Sequence, residues 1–500
     1  MNDRPVAGRA ASSAAWLVTA RLTAKGIDLL ALLVLARVLN PTQFGIVAVA
    51  MTLIYIVEAV FELPIHQVLV RLEITKTHLD TAFTLGVLRG LVLMVVMAAL
   101  AWPFSYIYHD PRLVWLVVLL SLAPVLRSVS SPRFAIFAQQ LDYRRDFILE
   151  LSSKSVALVA SVIAALLLRD YRALVIGTLA TPATMVTVSY ILAPYRPRLS
   201  LGAWPDFAQF VGWSTASQLL GAINWQCDRL ILGRYVSRAR LGEFSMANDL
   251  SYLPEQALIK PIIRPLISAF SLINGDPERI RHAYQKTSVT ILALGMPIMI
   301  GLSLLARPAV ELVLSDQWLA AVPILQWLPL TLIPPLFISP LISLAMALGR
   351  PEVAMHQTGA ETAIKLPLMF AGAYYLGVEG AVLARGLTAL LVMMVSLHYV
   401  RRLIGTSPLR QLMAAWRVAL GGIALALVLI ALRPSLAGLA KWLLIFAVPS
   451  VAALGMVAYV GTIAVSWHLA GRPAGLEAAA FERSRYYLRL LRNRMSRAAG

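Results

Sequence analysis

One cysteine, Cys227, occurs in 500 residues, so no intrachain disulfide can form and cysteine usage says nothing about redox compartment. Histidine is also scarce, at seven, and none falls in an HExxH motif or in a metal-holding cysteine–histidine spacing. The chain has no GxxxxGK[ST] loop and no DxD pair. The usual signatures of catalysis, nucleotide hydrolysis and metal binding are therefore missing, and no cofactor is expected. Alternating ten-residue strands are absent as well, which argues against an outer-membrane barrel. Acidic residues are few, 25 against 44 Lys and Arg, giving a net charge of +19. A nucleic-acid partner is nonetheless not expected, because the basic residues lie mostly in short loops between apolar stretches, as membrane proteins place them.

What is abundant is hydrocarbon. Hydrophobic residues make up 59% of the chain and the mean hydropathy is +0.75, beyond what a soluble core of this size requires. Residues 147–168, 286–306, 381–400 and 442–467 can each cross about 30 Å of hydrocarbon as helix. The N-terminus is polar, then enters an apolar segment interrupted by Arg21, Lys25 and Asp28. That pattern suits a retained first helix better than a cleaved leader. An all-α polytopic membrane protein of about fourteen transmembrane helices is predicted, centred near residues 26, 52, 92, 123, 157, 181, 219, 252, 297, 333, 365, 391, 422 and 454. Turn residues such as Asn40-Pro41, Asp276-Pro277 and Ser407-Pro408 separate them. With the N-terminus in the cytoplasm, cytoplasmic segments hold 25 basic residues and the opposite segments nine. This asymmetry supports cytoplasmic placement of both termini.

The chain also repeats itself. Residues 35–64 align without a gap on 232–261, with eight of thirty positions identical, among them Arg37/Arg234, Gly45/Gly242, Glu58/Glu255 and Pro64/Pro261. Leu100-Ala101-Trp102-Pro103 is echoed by Leu305-Ala306-Arg307-Pro308. Two six-helix bundles related by a pseudo-twofold along the membrane normal are expected. They span 1–200 and 201–405, followed by helices 13 and 14 over 406–470 and a basic tail over 471–500. The tail places Phe481, Ser484, Leu488, Leu491 and Met495 on one stripe. That suits a helix lying on an anionic leaflet or a plain solvated tail.

Ten basic residues remain inside helices, among them Arg21, Lys25, Arg89, Lys154, Lys365 and Arg385. Each costs a few kcal/mol if it faces lipid, so these positions should face protein or water. Arg21, Lys25 and Asp28 share one face of the first helix. Ser214, Gln218, Gly221, Trp225 and Asp228 form a matching stripe on the seventh, with Gln218 and Trp225 aligned to Arg21 and Asp28. These stripes either line a common cavity or, for Arg21 and Lys25, snorkel to the interface. Glu361 and Lys365 are spaced to neutralise each other locally. Arg89, Lys154 and Arg385 have no intrahelical partner and call for an anionic ligand or a distant carboxylate. Glu58, Glu255 and Glu361 are candidates for carrying a coupling ion, and Glu58 and Glu255 could equally pair with Arg37 or Arg234.

Asp228-Arg229-Leu230-Ile231-Leu232-Gly233-Arg234, Leu241-Gly242-Glu243-Phe244-Ser245-Met246-Ala247, Leu141-Asp142-Tyr143-Arg144 and Gln317-Trp318 with Ala321-Val322-Pro323 stand in an order and spacing that resemble the polysaccharide transporters of the multidrug/oligosaccharidyl-lipid/polysaccharide superfamily. The resemblance covers residues 10–400 or so. It implies a non-enzymatic flippase of the bacterial inner membrane. Such a protein moves undecaprenyl-diphosphate-linked oligosaccharide across the lipid bilayer, in company with polysaccharide polymerase and export proteins. The substrate-binding residues would then be Arg21, Lys25, Asp28, Arg89, Lys154, Gln218, Asp228, Lys365 and Arg385. The competing readings are an ion-coupled small-molecule exporter of the same superfamily, which should show an acidic cavity, and a non-catalytic scaffold of an assembly complex.

Overall fold

A computed structural model of the chain describes residues 6–471, apart from 64, 66, 67, 70–73, 141, 209, 210 and 264. The tail helix expected over 476–497 lies outside the described residues. Among the described residues the chain is helix and turn without a strand. We number α1–α14 the helices that hold the fourteen expected centres. They are α1 (Val6–Val38), α2 (Pro41–Val60), α3 (Lys76–Tyr108), α4 (Arg112–Leu120 and Leu122–Ser128), α5 (Tyr143–Leu168), α6 (Arg172–Leu192) and α7 (Val211–Tyr235). The second half adds α8 (Arg238–Pro254), α9 (Pro277–Leu304), α10 (Asp316–Ala347), α11 and α12 (together Glu352–Ile404), α13 (Trp416–Leu432) and α14 (Lys441–Leu469).

Among the described residues, nine helical stretches are long and apolar enough to cross a membrane, and the chain is a multi-pass membrane protein. Those nine hold ten of the expected centres, because Glu352–Ile404 is two helices meeting at Gly377. Gly377 sits at φ 62° and ψ −131°, a conformation that only glycine enters without strain. The other four centres lie in α1, α4, α7 and α8, which carry more charge or are broken.

Helix starts follow the turn residues. Asn40 caps α2 with its side chain on the Gln43 N–H, in a capping box with Pro41 at the first turn. Asp276 caps α9 and Ser407 caps the short helix Pro408–Ala414 in the same way. Each cap satisfies amide groups that a helix start leaves open.

Packing divides the chain into two compact units. One comprises Met1–Met246, Val313–Ala321 and Glu361–Ala384; the other comprises Ala247–Leu312, Val322–Ala360 and Arg385–Gly500. Within the first unit the sequence repeat becomes a physical symmetry. A Cβ built on Gly45 would lie 1.8 Å from the Arg238 carbonyl oxygen, and one built on Gly242 would lie 1.8 Å from that of Pro41. Arg238 is the repeat equivalent of Pro41, as Gly242 is of Gly45. Residue i thus meets j as j meets i, the signature of a twofold axis. The axis runs between α2 and α8, and both crossing glycines admit backbone against backbone.

Two polar caps in the same unit follow this pattern. Arg238 donates to the Tyr108 carbonyl at 2.6 Å and to the Gly233 carbonyl at 2.8 Å, and it pairs with Asp110 at 3.5 Å. The Trp318 indole N–H donates to the Ala36 carbonyl at 2.6 Å, and the Gln317 amide to those of Ala36 and Leu39 at 2.9 and 3.0 Å. The end of each half's third helix, or the segment that follows its counterpart, therefore caps the first helical hairpin of the other half.

Candidate functional site

A cavity of about 350 Å³ opens inside the first unit, lined by Asp28 of α1, Tyr55 of α2, Arg127 of α4, Lys154 of α5 and Thr178 and Thr181 of α6. Its charged feature is a shared carboxylate. Lys154 Nζ donates to Asp28 Oδ1 at 2.6 Å, and Lys25 Nζ stands 3.7 Å from Asp28 Oδ2. All three side chains remain partly exposed, at 29%, 34% and 43% for Lys154, Asp28 and Lys25. Lys25 and Asp28 are three residues apart on α1, so they share a face. Lys154 joins them because α1 packs along α5, and contrary to the expectation that it lacks an intrahelical partner, Glu150 four residues earlier on α5 attracts both Lys154 and Lys25.

Arg127 supplies a further cation. It pairs with Glu58 at 2.8 Å, and the Glu58 side chain is largely buried. Glu58 was expected to carry a coupling ion or to pair with Arg37 or Arg234; its partner is instead Arg127, in the last turn of α4. The signal available was Ala123-Pro124-Val125-Leu126, an apolar lead-in that continues the helix up to Arg127. Arg89 finds its distant carboxylate in Glu62, at 2.6 Å. The same guanidinium donates to the Phe61 carbonyl at 2.6 Å and the Glu58 carbonyl at 3.3 Å. It therefore caps the C-terminal end of α2, where a helix presents open carbonyls and partial negative charge.

Lys365 does not settle on Glu361, four residues away. It pairs with Asp228 at 2.9 Å and donates to the Asn224 carbonyl at 2.7 Å, with side chains only 10% and 7% exposed. Glu361 is half-buried on α11. The stripe expected on α7 splits, since Trp225 is 47% exposed and Asp228 is 5% exposed. The side chains of Arg21 and Gln218 lie outside the described residues.

In the second unit, Arg385 is 7% exposed and hydrogen-bonds Asn248 Oδ1 at 2.6 Å and the Tyr252 hydroxyl. Its guanidinium also lies over the Tyr252 ring, 5.0 Å from the centroid. An amide oxygen, a hydroxyl and a π face are among its contacts, and the Glu255 carboxylate also attracts it. Asn248 and Tyr252 escaped the sequence reading because neither is charged. Glu255 opens a single π-helical turn, Glu255–Ile259, directly after Pro254.

The structure thus brings together Asp28, Lys154 and Arg127 at one cavity, with Lys25 beside Asp28. It holds Arg89 on Glu62, and Asp228 on Lys365, as separate pairs in the same unit. This all-helical membrane fold has counterparts among solved transporters. The solved lipid II flippase MurJ in its inward closed conformation matches with a TM-score of 0.71 over 90% of this chain and 99% of that one, at 13% identity. An inward-facing multidrug resistance MATE transporter matches with a TM-score of 0.59 over 77% and 96%, at 16% identity.

The model of the family described as "Polysaccharide biosynthesis protein" matches residues 34–323, and the chain belongs to that family. The lipopolysaccharide biosynthesis protein WzxC of Escherichia coli K12 is 25% identical over 411 residues, 81% of this chain and 84% of its own. The succinoglycan biosynthesis transport protein ExoT of Rhizobium meliloti is 24% identical over 321 residues, 63% and 65% of the two chains.

Proposed function

We propose that the protein is a lipid-linked oligosaccharide flippase. It carries undecaprenyl-diphosphate-linked sugar repeat units from the cytoplasmic to the periplasmic leaflet of the bacterial inner membrane, for surface polysaccharide synthesis. The observation that carries this reading is the Lys154–Asp28 pair lining a 350 Å³ cavity, with Lys25 leaning on the same carboxylate. A diphosphate headgroup bears at least two negative charges and needs cations and water on its path. Two ammonium groups and the neighbouring Arg127 offer them, while the lipid tail stays in the bilayer. Family membership and the flippase named among the matching folds point the same way.

Alternating access between halves that descend from 1–200 and 201–405, with helices 13 and 14 over 406–470 appended, would move the headgroup. Both termini are assigned to the cytoplasm, and polymerase and export proteins are the expected neighbours in the pathway. Arg21, on the helix face of Lys25, and Gln218 are retained as candidate contacts. Among the carboxylates considered for ion coupling, Glu58 is favoured over Glu255 and Glu361, because Arg127 ties it to the cavity wall.

The test is polysaccharide export in cells whose only copy carries Lys154→Gln. Losing one charge-assisted hydrogen bond to phosphate is worth about 1.5–3 kcal/mol, or roughly ten- to hundredfold in affinity. Export should fall steeply while the amount of protein in the membrane stays near wild type. Normal export by Lys154→Gln and by Lys25→Gln/Lys154→Gln would remove these lysines from the substrate path.

A further inference from the structure

The cavity pair has a twin. Asp28 and Lys154 join α1 to α5; Asp228 and Lys365 join α7 to α11, the same two helices of the second half. Sequence alignment conceals the relation, because the strict equivalent of Asp28 is Trp225 and the carboxylate returns one helical turn later, at Asp228. The two copies differ in what surrounds them. In the α7–α11 copy the partners are 7% and 10% exposed, and Lys365 is held by a carboxylate and a main-chain carbonyl together. In the α1–α5 copy both partners are about a third exposed and face the cavity. There a second ammonium, Lys25, leans on the same carboxylate at the longer distance of 3.7 Å.

The buried copy has the environment of a permanent clasp between two helices. The cavity copy has the environment of an ion pair that can be exchanged. Two lysines carry six N–H donors; Asp28 is the carboxylate in direct contact with them, Glu150 on α5 acts on both from further off, and two oxygens cannot saturate six donors. Both partners stay about a third exposed at the cavity, so burial has not locked the pair and its net worth is small.

We propose that Asp28 is a displaceable counter-ion that sets how much negative charge a ligand must bring to occupy the lysines. This inference rests on the flippase reading above. A ligand with a single charge offers Lys25 and Lys154 little more than Asp28 already does. A diphosphate can engage both ammonium groups at once and so displaces the carboxylate. Asp28 is then a specificity-determining residue that works against binding, the opposite of a ligand contact, and it discriminates between anions by charge.

Binding of inorganic pyrophosphate and of inorganic phosphate to the purified full-length protein in detergent tests this. Wild type should bind pyrophosphate more tightly than phosphate. Asp28→Asn should tighten both, phosphate by more, roughly tenfold for one competing charge-assisted contact removed. The ratio between the two ligands should therefore narrow. Asp28→Glu, which keeps the competing charge, should retain the wild-type ratio. Weaker binding in Asp28→Asn, or an unchanged ratio, overturns the proposal. So does a wild type that holds phosphate as tightly as pyrophosphate, a result that needs no variant to fold. Lys154→Gln separates this from failure of the site itself. If that variant still binds pyrophosphate like wild type, the flippase site is misplaced; if it loses binding while Asp28→Asn also weakens, only the counter-ion role fails.

Discussion

Replacing Gly45 or Gly242 with alanine should force α2 and α8 apart. The added methyl would sit 1.8 Å from a carbonyl oxygen in either case, with that carbonyl's carbon at 2.8 and 2.7 Å. Carbon and oxygen approach one another to about 3.3 Å at closest. The obstacle is main chain within a helix, so no side chain can swing aside, and the helices must separate by roughly 1.5 Å at the crossing. A gap of 0.5–1 Å already forfeits a quarter to a half of the dispersion energy across a contact. The seam is dense, with Ile46, Val49, Ala50, Leu241 and Phe244 all at 0–1% exposure. Overpacking of this kind costs about 1–3 kcal/mol, and a clash with main chain belongs at the top of that range.

The reciprocal geometry adds a sharper consequence. One separation relieves both clashes, so Gly45→Ala/Gly242→Ala should cost much less than the two single variants summed. Thermal unfolding of the purified protein, followed by size-exclusion chromatography, measures all three. Gly221→Ala is the control, since nothing lies within 4 Å of its Cβ position, and it should be neutral or slightly stabilising. Additive losses, or single variants as stable as Gly221→Ala, would refute the shared seam.

Other outcomes follow from the same contacts. Asp228→Asn or Lys365→Met alone leaves a buried charge without its partner and should destabilise by about 3–5 kcal/mol, whereas the double variant should recover most of the loss; expression and melting temperature report this. Burial tends to raise the Asp110 carboxyl, but hydrogen bonding and charge from Arg112, with Arg238 behind, hold it below its ordinary value of 3.8. Its contribution is therefore present at neutral pH and is lost as pH falls through the depressed value. Asp110→Asn should accordingly be the less stable protein at pH 7, with the gap closing below the ordinary carboxylate range in melts run against pH. Reporter fusions after Gly349 and Gly471 should read cytoplasm and one after Asp110 periplasm; a periplasmic reading at Gly471 would mean one helix too many or too few.

The helices were legible because caps and hydropathy act locally: Asn40-Pro41 and Asp276-Pro277 start helices on the strength of adjacent side chains. The crossing of α2 on α8 was legible because both kept their glycines, Gly45 and Gly242, whose absence of a side chain is the contact. Ion pairs were less legible. Lys154 meets Asp28 across 126 positions of chain, and no periodicity along one helix reveals which helix stands opposite. Trp225 and Asp228 show the same limit, since the ungapped repeat predicts the helix but slips by one turn on the charge. The Arg127–Glu58 pair was hidden for the same reason, since Arg127 ends one helix and Glu58 lies on another.

The bond from Trp318 to the Ala36 carbonyl spans 282 residues, and that length has a meaning for biogenesis. A ribosome adds roughly 5–20 residues per second, so the first hairpin waits about 15–60 s between its own emergence and that of the segment that caps it. Through that interval the early helices stand in the bilayer without their finishing contact, and they settle only when the later half arrives. The N-terminal part of this transporter, made first, is completed only when nearly two thirds of the chain has been made, and a chain terminated before residue 313 would leave that hairpin uncapped however long it was given to fold.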